Sequence, residues 1–170
     1  MMCAISVAMN APAKKILKGL KRCFMKAGNP EKYEGLEMSD AARRLLESDP
    51  KKFASYCNGV GSRIGFWNKL AYHFIPNTIG LVNVTPASDI HDVEYTVPAY
   101  FESLALAKKA FDEANTRFYN NLVIIIERNG RTSFFYEMRM WVAKKYYEIV
   151  SSSRGETSFY KGKIIAGKKY

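Results

Sequence analysis

The sequence predicts a mainly α domain, and three observations carry that prediction. Leu104, Ala107, Phe111, Asn115, Phe118, Leu122 and Ile125 recur every three or four positions, the spacing of one helical face. Upstream, Thr85-Pro86 supplies a cap and a first-turn proline for a helix carrying Asp89, His91, Asp92 and Tyr95 and stopping before Pro98. Downstream, Asn129-Gly130 ends the long helix, predicted over residues 101–128, and Ser133 starts another with Phe135, Met138, Val142, Tyr146 and Ile149 inward. So short a connection makes those two helices antiparallel neighbours.

The remaining elements follow in chain order. Ile16, Leu17, Leu20 and Phe24 fall on one face, so residues 12–27 read as a basic amphipathic helix ended by Gly28-Asn29-Pro30. The first thirty residues hold six basic side chains and no acid. Such a helix either contacts a lipid surface or nucleic acid or packs on the domain with its basic face solvated. Ser39 is the N-cap of a helix running to Ser48, and Pro50 restarts a short one, Lys51 to Tyr56. Residues 62–84 are irregular, with one short strand expected at 79–84, and His73 among them reads as a packing residue. The aromatic and basic run Tyr136–Tyr147 reads as an amphipathic core helix rather than a stacking surface for single strands. From Ser151 the basic tail, residues 151–170, is expected on the surface.

Composition sets the frame. The 170 residues form a single domain, with 48% hydrophobic and 25% charged residues, which excludes a disordered chain. Lys+Arg 26 against Asp+Glu 16 gives +10, favouring anionic partners: nucleic acid, anionic lipid or another acidic protein. Three scattered cysteines, Cys3, Cys23 and Cys57, make neither a disulfide framework nor a zinc site. No readable signal peptide or membrane-spanning run is present, so a cytoplasmic, virion-associated or non-classically exported protein is expected.

Three features exceed what folding alone requires. Asn58-Gly59-Val60-Gly61 follows a short helix, and two glycines let a loop turn several carbonyls toward one point, as a hard cation such as Ca²⁺ prefers; the same string also makes an ordinary turn. His91 and Asp92 are adjacent on a predicted helix and point about 100° apart, so they serve two different neighbours. Tyr95 lies one turn after His91, on its face. Asn115 interrupts an apolar stripe, so its amide needs partners: backbone or water, or His91 across the interface of two helices.

Taken in order, these segments resemble the phospholipase A2 superfamily, and its short prokaryotic and viral members most. His91-Asp92-Val93-Glu94-Tyr95 is similar to the family's H-D-x-x-Y. Cys57 to Gly61 is similar to its x-x-G-x-G calcium loop, and Ala114-Asn115-Thr116-Arg117-Phe118 to A-D-x-x-F. The likeness spans roughly residues 55–125. It implies an antiparallel helix pair with a calcium loop, extended by N- and C-terminal helices, and Ca²⁺-dependent hydrolysis of phospholipid sn-2 esters. It further implies His91 as general base, Tyr95 and position 115 as its support, and Ca²⁺ held by carbonyls of Cys57, Gly59 and Gly61 with the Asp92 carboxylate. The Gly59 N–H would join in oxyanion stabilisation. The sequence departs from the family in carrying Asn115 where aspartate is usual and Ser88 where many members have cysteine. Asp112, one turn before Asn115, is the nearest substitute carboxylate. A non-catalytic, phage-type structural or membrane-binding protein on the same scaffold is the alternative.

Overall fold

In the computed structural model, which describes residues 26–57, 78–131 and 134–167, the mainly α architecture expected from the sequence is present. The basic segment 12–27, Gly59, Gly61, His73 and Ser133 lie wholly or largely outside the described residues. A 3-10 turn at Pro30–Tyr33, capped by Asn29, leads into α1 (Asp40–Ser48) and α2 (Pro50–Tyr56). The Ser39 side chain accepts from the N–H of Ala42, so α1 begins where its predicted cap places it, and Asp49 caps α2 by accepting from the N–H of Lys52.

α3 (Thr85–Thr96) and α4 (Leu104–Arg128) form the central pair. His91 meets Phe118 while Tyr95, further along α3, meets Phe111, earlier on α4, so the two run antiparallel. α5 (Tyr136–Val150) packs against α4, and α6 (Ser153–Tyr160) follows. The main core gathers Leu46, Phe53, Ile90, Val93, Leu122 and Ile126 from four helices. A smaller cluster joins Ala107, Phe111 and Ala114 of α4 to Phe159, Tyr160 and Ile165. Among the described residues, no helix is long and apolar enough to cross a membrane.

Several expectations are corrected. The single strand at 79–84 is a hairpin, β1 (Thr78–Ile79) antiparallel to β2 (Val82–Asn83), turning at Gly80-Leu81 with both φ values positive. Thr85 is already helical; the residue before α3 is Val84, with no side-chain cap, and Asn83 accepts from the Thr85 N–H instead. The long helix starts at Leu104, capped by Ser103, and not at 101: residue 101 ends β3 (Ala99–Phe101), which pairs in parallel with β4 (Lys163–Ile165). Pro98 had already biased its surroundings toward extended chain, and the partner strand comes from the far end of the sequence. The tail is therefore not a surface appendage up to residue 167: α6 and β4 close the smaller core.

The inward face of α5 is also rotated from the expected one. Arg139, Ala143 and Tyr146 are buried, while Phe135, Met138 and Ile149 are exposed. Ala143 permits close approach to α4, and the Arg139 guanidinium is drawn inward by the Gly80 carbonyl, to which Nη2 donates at 2.8 Å.

Candidate functional site

α3 is buried on almost every side, so each of its polar residues faces a different neighbouring element. Asp89 accepts from the Lys32 ammonium at 2.5 Å and the Tyr33 hydroxyl at 2.9 Å, both on the 3-10 turn. Tyr33 in turn accepts from the Gly28 N–H, and burial beside Asp89 raises its phenol well above the ordinary range. Glu94 holds Arg117 of α4 in a two-oxygen grip, at 3.0 and 3.1 Å, and also accepts from the Ser39 N–H at 2.6 Å. Those two carboxylates tie α3 to the N-terminal elements and to α4. Neither was singled out by the sequence as more than a helical acid, because their partners sit 57 and 23 positions away.

His91 faces α4. Its Nε2 lies 3.0 Å from Asn115 Oδ1, and the Tyr95 hydroxyl donates to the same oxygen at 2.9 Å. Phe118 covers the ring with a centroid separation of 4.5 Å, and Tyr95 stacks at 4.2 Å. Tyr95 also reaches the Val150 carbonyl at the end of α5, at 3.3 Å. Asn115 is 1% exposed and His91 8%, so the cluster is withdrawn from bulk solvent. A shared acceptor requires a donor on each side. With Oδ1 toward the ring, Nε2 is the donor and Nδ1 keeps the basic lone pair; with the amide turned, the otherwise unpartnered Nδ2 would face Nε2 and the tautomer would reverse.

Burial pushes the His91 imidazolium down to about 4, against a smaller upward pull from the Asn115 oxygen, so the ring is neutral at pH 7. Burial raises the Tyr95 phenol, which stays protonated and keeps donating. The amide contributes orientation without charge. Its Nδ2 is buried with no hydrogen-bond partner, a deficit that costs about 1–3 kcal/mol. An oxygen at both branches of residue 115 would leave no donor orphaned there.

The other sequence-predicted residues divide. Asp92 is described and engaged, and its charge, with that of Asp89, reaches the thiol of Cys57. Burial first, then those two carboxylates, pushes that thiol up to about 12. Cys57 ends α2, and its thiol lies 3.9 Å from the Asp89 carbonyl of α3. Gly59 and Gly61 lie outside the described residues. Among the described residues no three carboxylate, imidazole or thiol groups converge. Asp112 is no substitute for position 115: it pairs with Lys108 at 2.6 Å on the exposed face of α4. Ser88 is buried on α3, with its hydroxyl unpartnered.

No family model, curated protein or solved structure matches the chain. The chemistry of the site is therefore read from its own groups: a neutral imidazole, an amide oxygen against it, and a tyrosine that shares that oxygen.

Proposed function

We propose that the chain is a calcium-dependent, phospholipase A2-like hydrolase of phospholipid sn-2 esters. One observation carries the proposal: the neutral His91 ring is held through Nε2 by a buried oxygen that also takes the Tyr95 hydroxyl. In this reading Nδ1 of His91 withdraws a proton from the attacking water. Asn115 and Tyr95 hold the ring so that its lone pair stays directed at that water. Asp92 and the carbonyls of Cys57, Gly59 and Gly61 are the residues that would hold Ca²⁺. Calcium when bound supplies positive charge to the ester carbonyl oxygen as it becomes an oxyanion. The Gly59 N–H is assigned to the same oxygen.

Release of fatty acid from phospholipid vesicles, with and without chelator, tests the proposal, with His91→Ala as the control. Absence of release, or release that survives the histidine substitution, removes the enzymatic reading.

A second reading, a non-catalytic lipid- or partner-binding scaffold, is favoured by a specific observation. Position 115 offers no negative charge to an imidazolium, and burial makes His91 a weak base. That reading predicts vesicle binding indifferent to calcium and to changes at His91 and Asp92.

A further inference from the structure

The tip of the β1–β2 hairpin presents an apolar side chain on a strained backbone. Leu81 has φ 71 and is 95% exposed. A left-handed conformation is unfavourable for leucine and is the usual place of glycine or asparagine. Neither folding nor solubility accounts for a leucine there.

Its surroundings repeat the pattern. The Arg139 guanidinium pins the Gly80 carbonyl to α5, and a Cβ at Gly80 would lie 2.9 Å from the Met138 methyl. Leu81 therefore stands beside the N-terminal part of α5. There Phe134, 94% exposed, stacks edge-on against Phe135, and Met138 and Trp141 continue the outward stripe at helical spacing. Lys145 lies 6.0 Å from the Trp141 ring, an ammonium at the edge of an aromatic. Glu137 and Glu148 are the acids exposed on the same helix, and Glu148 is paired with Lys145. From residue 134 to the C-terminus the sequence carries eight basic side chains against three acidic.

We infer that this edge, Leu81 with Phe134, Phe135, Met138 and Trp141, is where the protein enters the headgroup region of an anionic phospholipid bilayer. The choice of a lipid occupant rests on the proposed function; the location rests on the hairpin and α5. Tryptophan and phenylalanine with flanking lysines suit the apolar-to-wet gradient of that region, where an ammonium stays at the phosphates while the ring goes deeper. Lys144 and Lys145, exposed on α5 beside that stripe, match the negative surface.

The test uses sedimentation of the full chain with vesicles of mixed phosphatidylglycerol and phosphatidylcholine, alongside hydrolysis of a dispersed short-chain phospholipid. Leu81→Asn places a residue that tolerates positive φ at the tip, so it is expected to raise the unfolding temperature slightly. It is expected to weaken vesicle binding about tenfold, the loss that goes with one buried leucine. Phe134→Ser with Trp141→Ser is expected to weaken binding about a hundredfold or more, leaving hydrolysis of dispersed lipid unchanged. Vesicle binding by these folded variants equal to wild type overturns the inference, as does a wild-type chain that ignores anionic vesicles. Concentration-dependent self-association lost in the same variants also overturns it, assigning the edge to a second copy. His91→Ala is expected to bind vesicles as wild type does. If no form hydrolyses dispersed lipid yet the edge variants lose binding, the enzymatic proposal fails while the docking edge stands.

Discussion

Asn115→Asp is the perturbation that most directly probes the site. The substitution places a carboxylate where the amide oxygen stands 3.0 Å from His91 Nε2, without changing side-chain size. With charge centres about 4 Å apart and an effective dielectric of about 20, the ion-pair attraction is about 4 kcal/mol. That corresponds to roughly 3 pKa units in favour of the imidazolium. His91, now held down to about 4 by burial, should then titrate near about 7. Tyr95 keeps an acceptor, and the orphaned Nδ2 disappears. Opposing this, a carboxylate at a 1% exposed position carries a desolvation cost of several kcal/mol, so the unfolding midpoint is expected to fall modestly. A pH titration of the His91 ring resonances by NMR reads the shift directly. Under the proposed function, vesicle hydrolysis should rise by about 10²-fold, within the usual contribution of a well-tuned general base. A variant ring that still titrates near 4 refutes the electrostatic coupling between the two helices. A raised titration with no gain in hydrolysis leaves that coupling intact and removes the catalytic role of His91.

Other outcomes follow from the same structure. Because the folded-state imidazolium of His91 is suppressed below its ordinary 6.5, the unfolded chain binds the extra proton. Stability is thus full above about pH 6.5 and lost as pH falls toward 4, by up to about 3 kcal/mol; His91→Gln should flatten that slope in urea unfolding followed across this range. Asn121 is fully buried, accepting from the Glu37 N–H at 2.7 Å and donating to its carbonyl at 2.8 Å, so Asn121→Ala should lower stability by about 2–3 kcal/mol in chemical denaturation. Asp89→Ala strands the buried Lys32 ammonium and should cost about 3–5 kcal/mol, whereas Lys32→Met with Asp89→Leu should cost less, about 1–3 kcal/mol for the Tyr33 hydroxyl left without its acceptor; equal losses in the two would contradict the pairing. Arg139→Ala should release the hairpin, read as faster amide exchange at Ile79 and Val82 with α3 unaffected.

Much of the helical framework is decided by short-range chemistry and is legible in the chain. Ser39 caps α1 as its place in the sequence predicts, because its hydroxyl satisfies an N–H group three positions on. The stripe from Ala107 to Ile125 is inward because helical spacing forces it onto one side. The same spacing puts Tyr95 over His91, and an amide within an apolar stripe needs a partner, so the sequence admits His91 beside backbone or water as the partner of Asn115. Only the tertiary structure decided what depends on distant partners. Residues 99–101 extend because β4, more than sixty positions later, pairs with them. Likewise α5 turns Arg139 rather than Met138 inward because the Gly80 carbonyl lies there to receive it. Periodicity along one helix reports which residues share a face, and capping reports where it begins. Neither carries information about what stands opposite, and burial, ion pairing and proton affinity are properties of that opposing surface.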